Sequence, residues 1–213
     1  MDLPLNPIEI ILHVDDYLVI IFNAFGALTY LILFLIVFAE TGFVVTPFLP
    51  GDSLLFAAGA LAAGDFINPV IVWLVLVLAA VGGDTVNYWI GNFIGERAYS
   101  SRSGRFLKKE YLKKTQDFYD KYGGKAIIIA RFIPVVRTFA PFVAGVGKMD
   151  YRKFLSYNIA GGLLWVTLFV WAGFFFGNLP LVKHNFSLVI MTIILISILP
   201  AIIEFAKHKR RSR

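Results

Sequence analysis

The sequence contains no cysteine, and this absence removes several classes of site at once. Disulfides, thiolate metal centres and a cysteine nucleophile are all excluded. Histidine is also scarce, because the chain has three, at positions far apart: His13, His184 and His208. These residues form no metal-ligand motif and no nucleophile arrangement. The sequence therefore predicts neither a bound metal nor a cofactor, and it gives little support to an enzyme such as a lipid phosphatase.

Charged residues are few, and basic ones are missing from nearly half of the chain. Of 213 residues, 16% are charged and 58% hydrophobic, and the mean hydropathy is +0.74. A soluble domain needs more polar surface than this composition provides, so we expect a membrane protein. Residues 1–96 contain nine acids and no Lys or Arg, whereas all 20 basic residues lie between Arg97 and Arg213. The net charge of +6 therefore indicates membrane topology, and nucleic-acid binding is not expected.

Long apolar runs alternate with short polar stretches, which predicts an all-α integral membrane fold in a single domain. Residues 69–95 and 152–177 are long enough to cross the bilayer, whereas 53–63 is too short for the ~20 residues of a span. The predicted segments are an amphipathic N-terminal helix (1–25), a first repeat (26–95), a cytoplasmic basic amphipathic segment (96–125), a second repeat (126–177), a last transmembrane helix (178–206) and a basic tail (207–213). The basic segment and tail place the C-terminus in the cytoplasm. Whether residues 6–24 span the membrane or lie on it stays open.

Prolines interrupt both halves of the chain near charged residues. Pro47, Pro50 and Gly51 cannot continue the first apolar helix, and Pro134 and Pro141 are expected to break the second apolar stretch. Neither stretch is long enough to cross the membrane twice. We therefore predict two re-entrant helical hairpins, each entering the membrane, returning to the same side, and leading into a transmembrane helix.

The two halves also share short motifs, which predicts an inverted repeat. Phe56-Ala57-Ala58-Gly59 is echoed by Phe142-Val143-Ala144-Gly145, and each is followed by a span that ends in a G-x-x-x-G pair, Gly91–Gly95 or Gly173–Gly177. The first hairpin is expected to enter from outside and the second from the cytoplasm. In transporters, such repeats place their broken segments near the membrane midplane, where substrate sites form. Generic packing of small residues is the alternative explanation.

Four charges in apolar surroundings are the main candidate site: Glu40, Asp52, Arg131 and Arg137. A lone charge at membrane depth costs at least ~2.5–3.5 kcal/mol, so these side chains must pair or face water. One interpretation is that they form structural salt bridges between the hairpins. The other is a transport site, in which Arg131 and Arg137 bind an anionic substrate such as a phosphate. Protonation of Glu40 or Asp52 would then release an arginine, which gives these acids a gating or proton-coupling role.

Polar residues in the predicted spans are weaker candidates. Asp84 and Asn87 either join a polar cavity with the four charges or hydrogen-bond a neighbouring helix. Asn158 is interpreted as a residue that holds helices together, and Trp165 as a packing or interfacial side chain.

The combination of motifs resembles the DedA family of membrane proteins, also called the VTT-domain or SNARE-associated-Golgi-type family. The motifs are Glu40-Thr-Gly42, Pro47-Phe-Leu-Pro50-Gly51-Asp52-Ser53, Gly123-Gly124-Lys125 and Arg131-Phe-Ile-Pro134-Val-Val-Arg137-Thr-Phe-Ala-Pro141. The resemblance implies a multi-pass protein of the bacterial inner membrane with two opposed re-entrant hairpins. It also implies that Glu40 and Asp52 match the family's essential acids, and Arg131 and Arg137 its essential arginines.

The function implied by this family is lipid translocation, linked in some members to the proton motive force. Bacterial members are implicated in returning undecaprenyl phosphate to the cytoplasmic face, other members act on phosphatidylethanolamine, and eukaryotic relatives scramble phospholipids. We therefore expect a flippase for an anionic lipid head group, first of all undecaprenyl phosphate, with protons as the coupling partner. The alternatives are a proton-coupled small-ion transporter or antiporter and a phospholipid flippase or scramblase. The sequence leaves open whether the protein is a homo-oligomer.

Overall fold

A computed structural model of the chain describes residues 25–43, 51–100, 122–177, 179–180, 182, 188–189 and 191–193. Within these residues all regular structure is helical, which confirms the predicted fold class at that level. The helices are α1 Leu28–Gly42, α2 Gly51–Ala63, α3 Pro69–Ser100, α4 Lys125–Ala130, α5 Pro134–Val146 and α6 Tyr151–Phe176.

Several predictions fall partly or wholly outside the described residues. They concern the N-terminal amphipathic helix, Pro47 and Pro50, most of the basic amphipathic segment, most of the last transmembrane helix and the basic tail. The re-entrant path of the hairpins and the side of the membrane on which each end lies also stay predictions.

Helix length separates the described helices into two classes. The apolar parts of α3 and α6, Pro69–Gly95 and Tyr151–Phe176, have 27 and 26 residues with mean hydropathies of 2.1 and 2.0. At ~1.5 Å per residue each extends about 40 Å, which exceeds the ~30 Å hydrocarbon layer. Helices α2 and α5 have 13 residues each and extend only about 20 Å, which is too short for a span. The two long apolar helices predicted from the sequence are thereby confirmed.

The same turn connects each short helix to the following long helix. After α2, the amide of Phe66 donates to the carbonyl of Leu61, and after α5 the amide of Met149 donates to the carbonyl of Ala144. Each turn contains one non-glycine residue in the left-handed region, Asp65 at φ 62° and Lys148 at φ 55°. These contacts cap the last carbonyls of the short helices in the same way.

The long helices also begin alike. The Asn68 side-chain oxygen accepts hydrogen bonds from the amides of Val70 and Ile71, at 3.0 and 3.1 Å, at the start of α3. The Asp150 carboxylate accepts one from the amide of Lys153 at 2.9 Å at the start of α6. Both are N-caps, which satisfy amides that lack a partner within the helix. The matched turns and caps support an internal repeat of short helix, turn and long helix.

The described helices belong to two compact units, which are treated separately. The first unit comprises Met1–Ile36, Phe48–Leu78 and Trp165–Arg213, and the second comprises Val37–Pro47 and Ala79–Leu164. The first unit therefore contains most of α1, all of α2, the start of α3 and the last part of α6. The second contains the end of α1, most of α3, α4, α5 and the first part of α6.

In the first unit, glycines allow α2 to pack closely against α6. A Cβ added to Gly59 would meet the backbone carbonyl of Val170, and one added to Gly173 would meet the carbonyl of Phe56. A Cβ at Gly177 would likewise meet Ala60. The Phe56-Ala57-Ala58-Gly59 motif and the Gly173–Gly177 pair therefore form the two sides of one helix contact.

The second unit contains the matching contact between α5 and α3. A Cβ at Gly145 would meet the carbonyl of Tyr88, one at Gly91 would meet the carbonyl of Phe142, and one at Gly95 would lie 3.0 Å from the backbone of Val146. Each unit thus joins the short helix of one predicted repeat to the long helix of the other. Contacts this specific favour the repeat over chance similarity.

The described helices bury polar side chains and expose apolar ones. Leu78, Leu168 and Phe175 are 57%, 52% and 65% exposed, whereas Glu40 and Asn87 are 1% and 0% exposed. Water-soluble proteins rarely bury charged groups while exposing long rows of large aliphatic and aromatic residues. The exposed apolar faces of α3 and α6 are suited to lipid chains, and the buried polar groups lie within the protein.

Candidate functional site

The second unit contains a buried ion pair between Glu40 and Arg137. Glu40 lies in the last turn of α1 and Arg137 near the start of α5, and their side chains are 1% and 7% exposed. An Arg137 terminal nitrogen donates to a Glu40 carboxylate oxygen. The structure therefore brings together two of the four charges singled out in the sequence.

The two helices do not themselves favour these charges at these positions. A helix carries partial negative charge at its C-terminal end, where Glu40 lies in α1, and partial positive charge at its N-terminal end, where Arg137 lies in α5. Each charge is therefore opposed by its own helix, and each is compensated by the other. Removal of one partner would leave the second both buried and unfavourably placed.

Arg131 forms a second buried ion pair, and its partner is Asp84 on α3. The Arg131 Nη2 atom donates both to the Asp84 carboxylate and to the side-chain oxygen of Asn158 on α6. All three residues are at most 4% exposed. The structure therefore brings Asp84 and Asn158 into contact with an arginine of the predicted site, in addition to the helix contact expected for Asn158.

The position of Arg131 depends on a glycine pair in α6. A Cβ added to Gly161 would lie 3.1 Å from Arg131 Cδ, and one at Gly162 would lie 3.5 Å from Nη2. A larger residue at Gly161 would press on the arginine stem. Because two glycines leave this surface open, the side chain of Arg131 can cross α6 and reach Asn158.

Asn87 links the backbones that carry the Glu40–Arg137 pair. Its Nδ2 donates to the carbonyl of Thr41 at 3.1 Å and to the carbonyl of Thr138 at 2.7 Å. Each of these threonines directly follows one member of the ion pair, and Asn87 is fully buried. Asn87, interpreted from the sequence as an accessory polar residue, thus contacts the backbone of both helices that carry the ion pair.

Helix α1 reaches this site because α3 has a glycine at the contact. A Cβ added to Gly83 would meet the hydroxyl of Thr41 and lie 2.8 Å from the carbonyl of Phe38. A residue with a side chain at this point would push α1 away from α3. Gly83 therefore determines how closely Glu40 can approach the polar face of α3.

Among the described residues of the second unit, two buried carboxylates and two buried guanidinium groups form a cluster in which their charges balance. It contains Glu40, Asp84, Arg131 and Arg137, and Arg137 lies near enough to Asp84 and Arg131 for their charges to interact. A neutral cluster is the least costly way to bury guanidinium groups in an apolar protein. An anion can occupy such a cluster at low cost only if a carboxylate moves away or takes up a proton.

Asp52 belongs to the first unit, where it contacts Trp165. The indole Nε1 of Trp165 donates to an Asp52 carboxylate oxygen at 2.8 Å, and the two residues are 1% and 9% exposed, respectively. Asp52 is the second residue of α2, where the helix dipole favours a negative charge. The role of Trp165 was missed in the sequence, although its place in the middle of a long helix, far from either end, was a usable signal.

The proline predictions need one correction. Gly51 begins α2 and Pro134 begins α5, as expected for residues beside a break. Pro141, however, lies inside α5, and the helix continues through it. The interruption in this half of the chain lies between α4 and α5, at residues 131–133. Pro141 lacks the amide that would otherwise bond the carbonyl of Arg137, so its local effect falls at the site.

Comparison with known proteins finds relatives over almost the whole chain. The family model of the VTT domain matches residues 49–175. Protein DedA of Escherichia coli is 53% identical over 212 residues, which cover 99% of this chain and 97% of that protein. An uncharacterized membrane protein of Mycobacterium tuberculosis is 41% identical over 194 residues, covering 90% and 85%. Inner membrane protein YghB of Salmonella typhimurium is 32% identical over 163 residues, covering 75% and 73%. No solved structure matches significantly.

Proposed function

This chain belongs to the VTT-domain family, the family of the DedA membrane proteins, and we propose that it carries the phosphate head group of an anionic lipid across the bacterial inner membrane. One observation carries the proposal, namely that two buried arginines each rest on a carboxylate in a cluster without net charge. The specific substrate proposed is undecaprenyl phosphate, which would be returned to the cytoplasmic face.

Arginine is the side chain best suited to this substrate. A guanidinium group binds two oxygens of a carboxylate or a phosphate at the same time, which an ammonium group does not do. The guanidinium group that contacts Glu40 or Asp84 at rest can therefore bind a phosphate in its place. A phosphate monoester offers three oxygens and carries about −1.5 to −2 charges near pH 7, enough to engage two arginines.

The apolar exterior of the described helices suits a substrate that stays partly in the bilayer. Large apolar side chains of α3 and α6 are exposed, and the polar groups of the cluster are buried. A lipid tail can remain in the hydrocarbon layer while only the head group needs polar partners. An apolar exterior combined with a buried polar cluster favours a lipid over a small soluble anion as the substrate.

Charge balance supports coupling to protons. The resting cluster is neutral, so a phosphate that enters it adds negative charge in a region of low dielectric constant. Protonation of Glu40 would free Arg137 and cancel one of these charges, and Asp52 in the first unit is the second acid proposed to gate the site. The proton would leave again when the carboxylate takes back its arginine.

The equivalent turns suggest how the chain is oriented. The left-handed residue is Asp65 in one turn and Lys148 in the other, although the hydrogen bonds of the two turns are the same. Lys148 is followed by Arg152 and Lys153, and basic residues beside spans favour the cytoplasmic side. We therefore place the second turn and the C-terminus in the cytoplasm and the first turn outside, in a multi-pass topology.

The test is a transport assay with purified protein in liposomes. Undecaprenyl phosphate, phosphatidylethanolamine and phosphatidylglycerol are compared, with and without a proton gradient. Arg137→Lys is the site variant, and Arg152→Lys at an exposed position is its matched control. We expect the control and the unmodified protein to move undecaprenyl phosphate fastest, and faster with the gradient. Equal movement of all three lipids would indicate a scramblase instead. Ion flux without any lipid movement would indicate a small-ion transporter.

A further inference from the structure

The charge cluster contains a second resident acid, Asp84 on α3, to which the proposed function assigns no proton. It is 3% exposed, and its carboxylate accepts a hydrogen bond from Arg131. The charged residues around it are Arg131, which follows α4, Arg137 on α5, and Glu40 on α1 as the partner of Arg137. The neighbouring polar side chain from α6 is Asn158, which shares Arg131 with it. Asp84 is thus the resident anion of one of the two arginines.

We propose that Asp84 is the exchange carboxylate of Arg131: it takes up a proton and releases Arg131 when the phosphate of the lipid binds. This inference rests on the proposed function, and it assigns to Asp84 a role parallel to that of Glu40 at Arg137. In the exchange, the Arg131–Asp84 ion pair breaks, an O–H bond forms on the Asp84 carboxylate, and Arg131 donates to a phosphate oxygen. When the phosphate leaves, Asp84 releases the proton and takes back the arginine.

Arg131 keeps its place during this exchange because other residues hold it. The side-chain amide of Asn158 donates to the carbonyl of Val81 at 3.1 Å, which directs its oxygen toward Arg131. The stem of Arg131 lies against Gly161, where an added Cβ would come within 3.1 Å. These contacts carry no charge and need no proton. The guanidinium can therefore change its anionic partner without losing its position.

A protonated Asp84 needs a hydrogen-bond acceptor, and Asn87 offers one. Asn87 lies three residues further along α3, so the two side chains are neighbours on one helix face. Its Nδ2 is used by two backbone carbonyls, but its fully buried Oδ1 has no hydrogen-bond partner among the described residues. A buried carbonyl oxygen without a donor is uncommon and needs an explanation. Acceptance of the Asp84 proton provides that explanation.

The first measurement counts the protons taken up when phosphate binds. Farnesyl phosphate is titrated calorimetrically into the purified protein between pH 7.5 and 8.5, in two buffers of different ionisation enthalpy. Affinity falls about tenfold per pH unit for each proton taken up. We expect Asp84→Asn to take up about one proton fewer than the unmodified protein. Its affinity for farnesyl phosphate should then fall less steeply with pH, by a factor of about ten per pH unit. Asp65→Asn, at an exposed position, is the matched control and should change nothing.

A second measurement does not depend on the folding of Asp84→Asn. Infrared difference spectra record the band of a protonated carboxyl group when farnesyl phosphate is added. Asp84→Glu keeps an acid at this position, and because Asp and Glu absorb at different frequencies, the band should move. Glu40 is expected to contribute a band of its own that stays in place, so a spectrum in which no band moves in Asp84→Glu would overturn the proposal.

The outcomes separate this inference from the proposed function. Binding of farnesyl phosphate with the same proton uptake in Asp84→Asn would refute exchange at Asp84 and leave the phosphate site standing. No binding to the unmodified protein would refute both. Inorganic phosphate is the second probe: weaker binding than farnesyl phosphate supports a lipid head group as the source of the phosphate, and equal binding would overturn that assignment.

Discussion

Reversing the Glu40–Arg137 ion pair separates a structural role from a transport role. The double variant Glu40→Arg with Arg137→Glu keeps one guanidinium and one carboxylate at the same two places. It moves the guanidinium from α5 to the end of α1 and leaves the second pair, Arg131 with Asp84, unchanged. Each single variant, in contrast, places two like charges together in a buried position.

The expected energies follow from the geometry of the pair. Two unit charges about 4 Å apart interact by about 4 kcal/mol at an effective dielectric constant of about 20. A single reversal turns this attraction into repulsion of similar size, a change of about 8 kcal/mol. That change is comparable with the whole ~5–15 kcal/mol that typically stabilises a protein. The double reversal restores the attraction. It also places each charge at the helix end that favours it, which contributes about 0.3–1 kcal/mol at each end.

The assays are thermal unfolding in detergent and transport in liposomes. We expect the single variants to be absent from the membrane fraction or strongly destabilised, and the double variant to unfold at or above the temperature of the unmodified protein. Transport should nevertheless be lost, because the guanidinium group proposed to bind phosphate no longer extends from α5 beside Arg131. A double variant that transports lipid at the full rate would refute this reasoning and reduce the pair to a structural contact.

Three further substitutions test other parts of the site. Arg137→Lys should leave the protein in the membrane but slow transport at least about tenfold, since a bidentate contact worth ~1.5–3 kcal/mol is lost; near-normal transport would remove the bidentate argument. Gly83→Ala should lower the free energy of unfolding by about 1–3 kcal/mol, because its Cβ meets the backbone of α1. The control Gly82→Ala should be tolerated, because its Cβ would lie 3.5 Å from the nearest atom. Equal unfolding temperatures of the two variants would contradict the contact. Trp165→Phe should cost about 1–3 kcal/mol by removing a buried indole donor, and the exposed control Trp89→Phe less than about 0.5 kcal/mol, both measured by thermal unfolding.

The charged residues of the site could be found from the sequence, but their pairing could be found only in part. The two acids Glu40 and Asp52 were expected to pair with the two arginines because four charges in apolar stretches cannot stay uncompensated, but which acid meets which arginine was left open. The partner of Arg131 depends on which face of α3 and of α6 meets the end of α4. That is set by contacts such as the one at Gly161, which no hydropathy pattern contains. Asp84 was therefore recognised as polar and buried but not as the partner of a particular arginine.

The repeat was detectable in the sequence from its glycines. Its turns and caps were not, because the two halves use different residue types there. The close helix contacts require glycine on both sides, so Gly59, Gly145, Gly91 and Gly173 are visible in both halves. The turns and caps tolerate several residue types, and the two halves use Asp or Lys in one role and Asn or Asp in the other. The two halves share the same residue type where a close backbone contact leaves room only for glycine. Elsewhere the same hydrogen bond is made by different side chains, which sequence comparison scores as a mismatch.

A carrier for anionic lipids must also return empty, and the resident carboxylates answer this requirement. A guanidinium left without an anion in the membrane would cost at least ~2.5–3.5 kcal/mol, and two of them would slow the return step severely. With Glu40 and Asp84 in place, the charges of the unloaded cluster balance, and in the proposed exchange they would balance again when phosphate and protons enter together. Loaded and unloaded states are then similar in charge, so neither is trapped. A small-cation transporter would need the acids but not two arginine forks, and for this reason the cluster favours a phosphate over a cation.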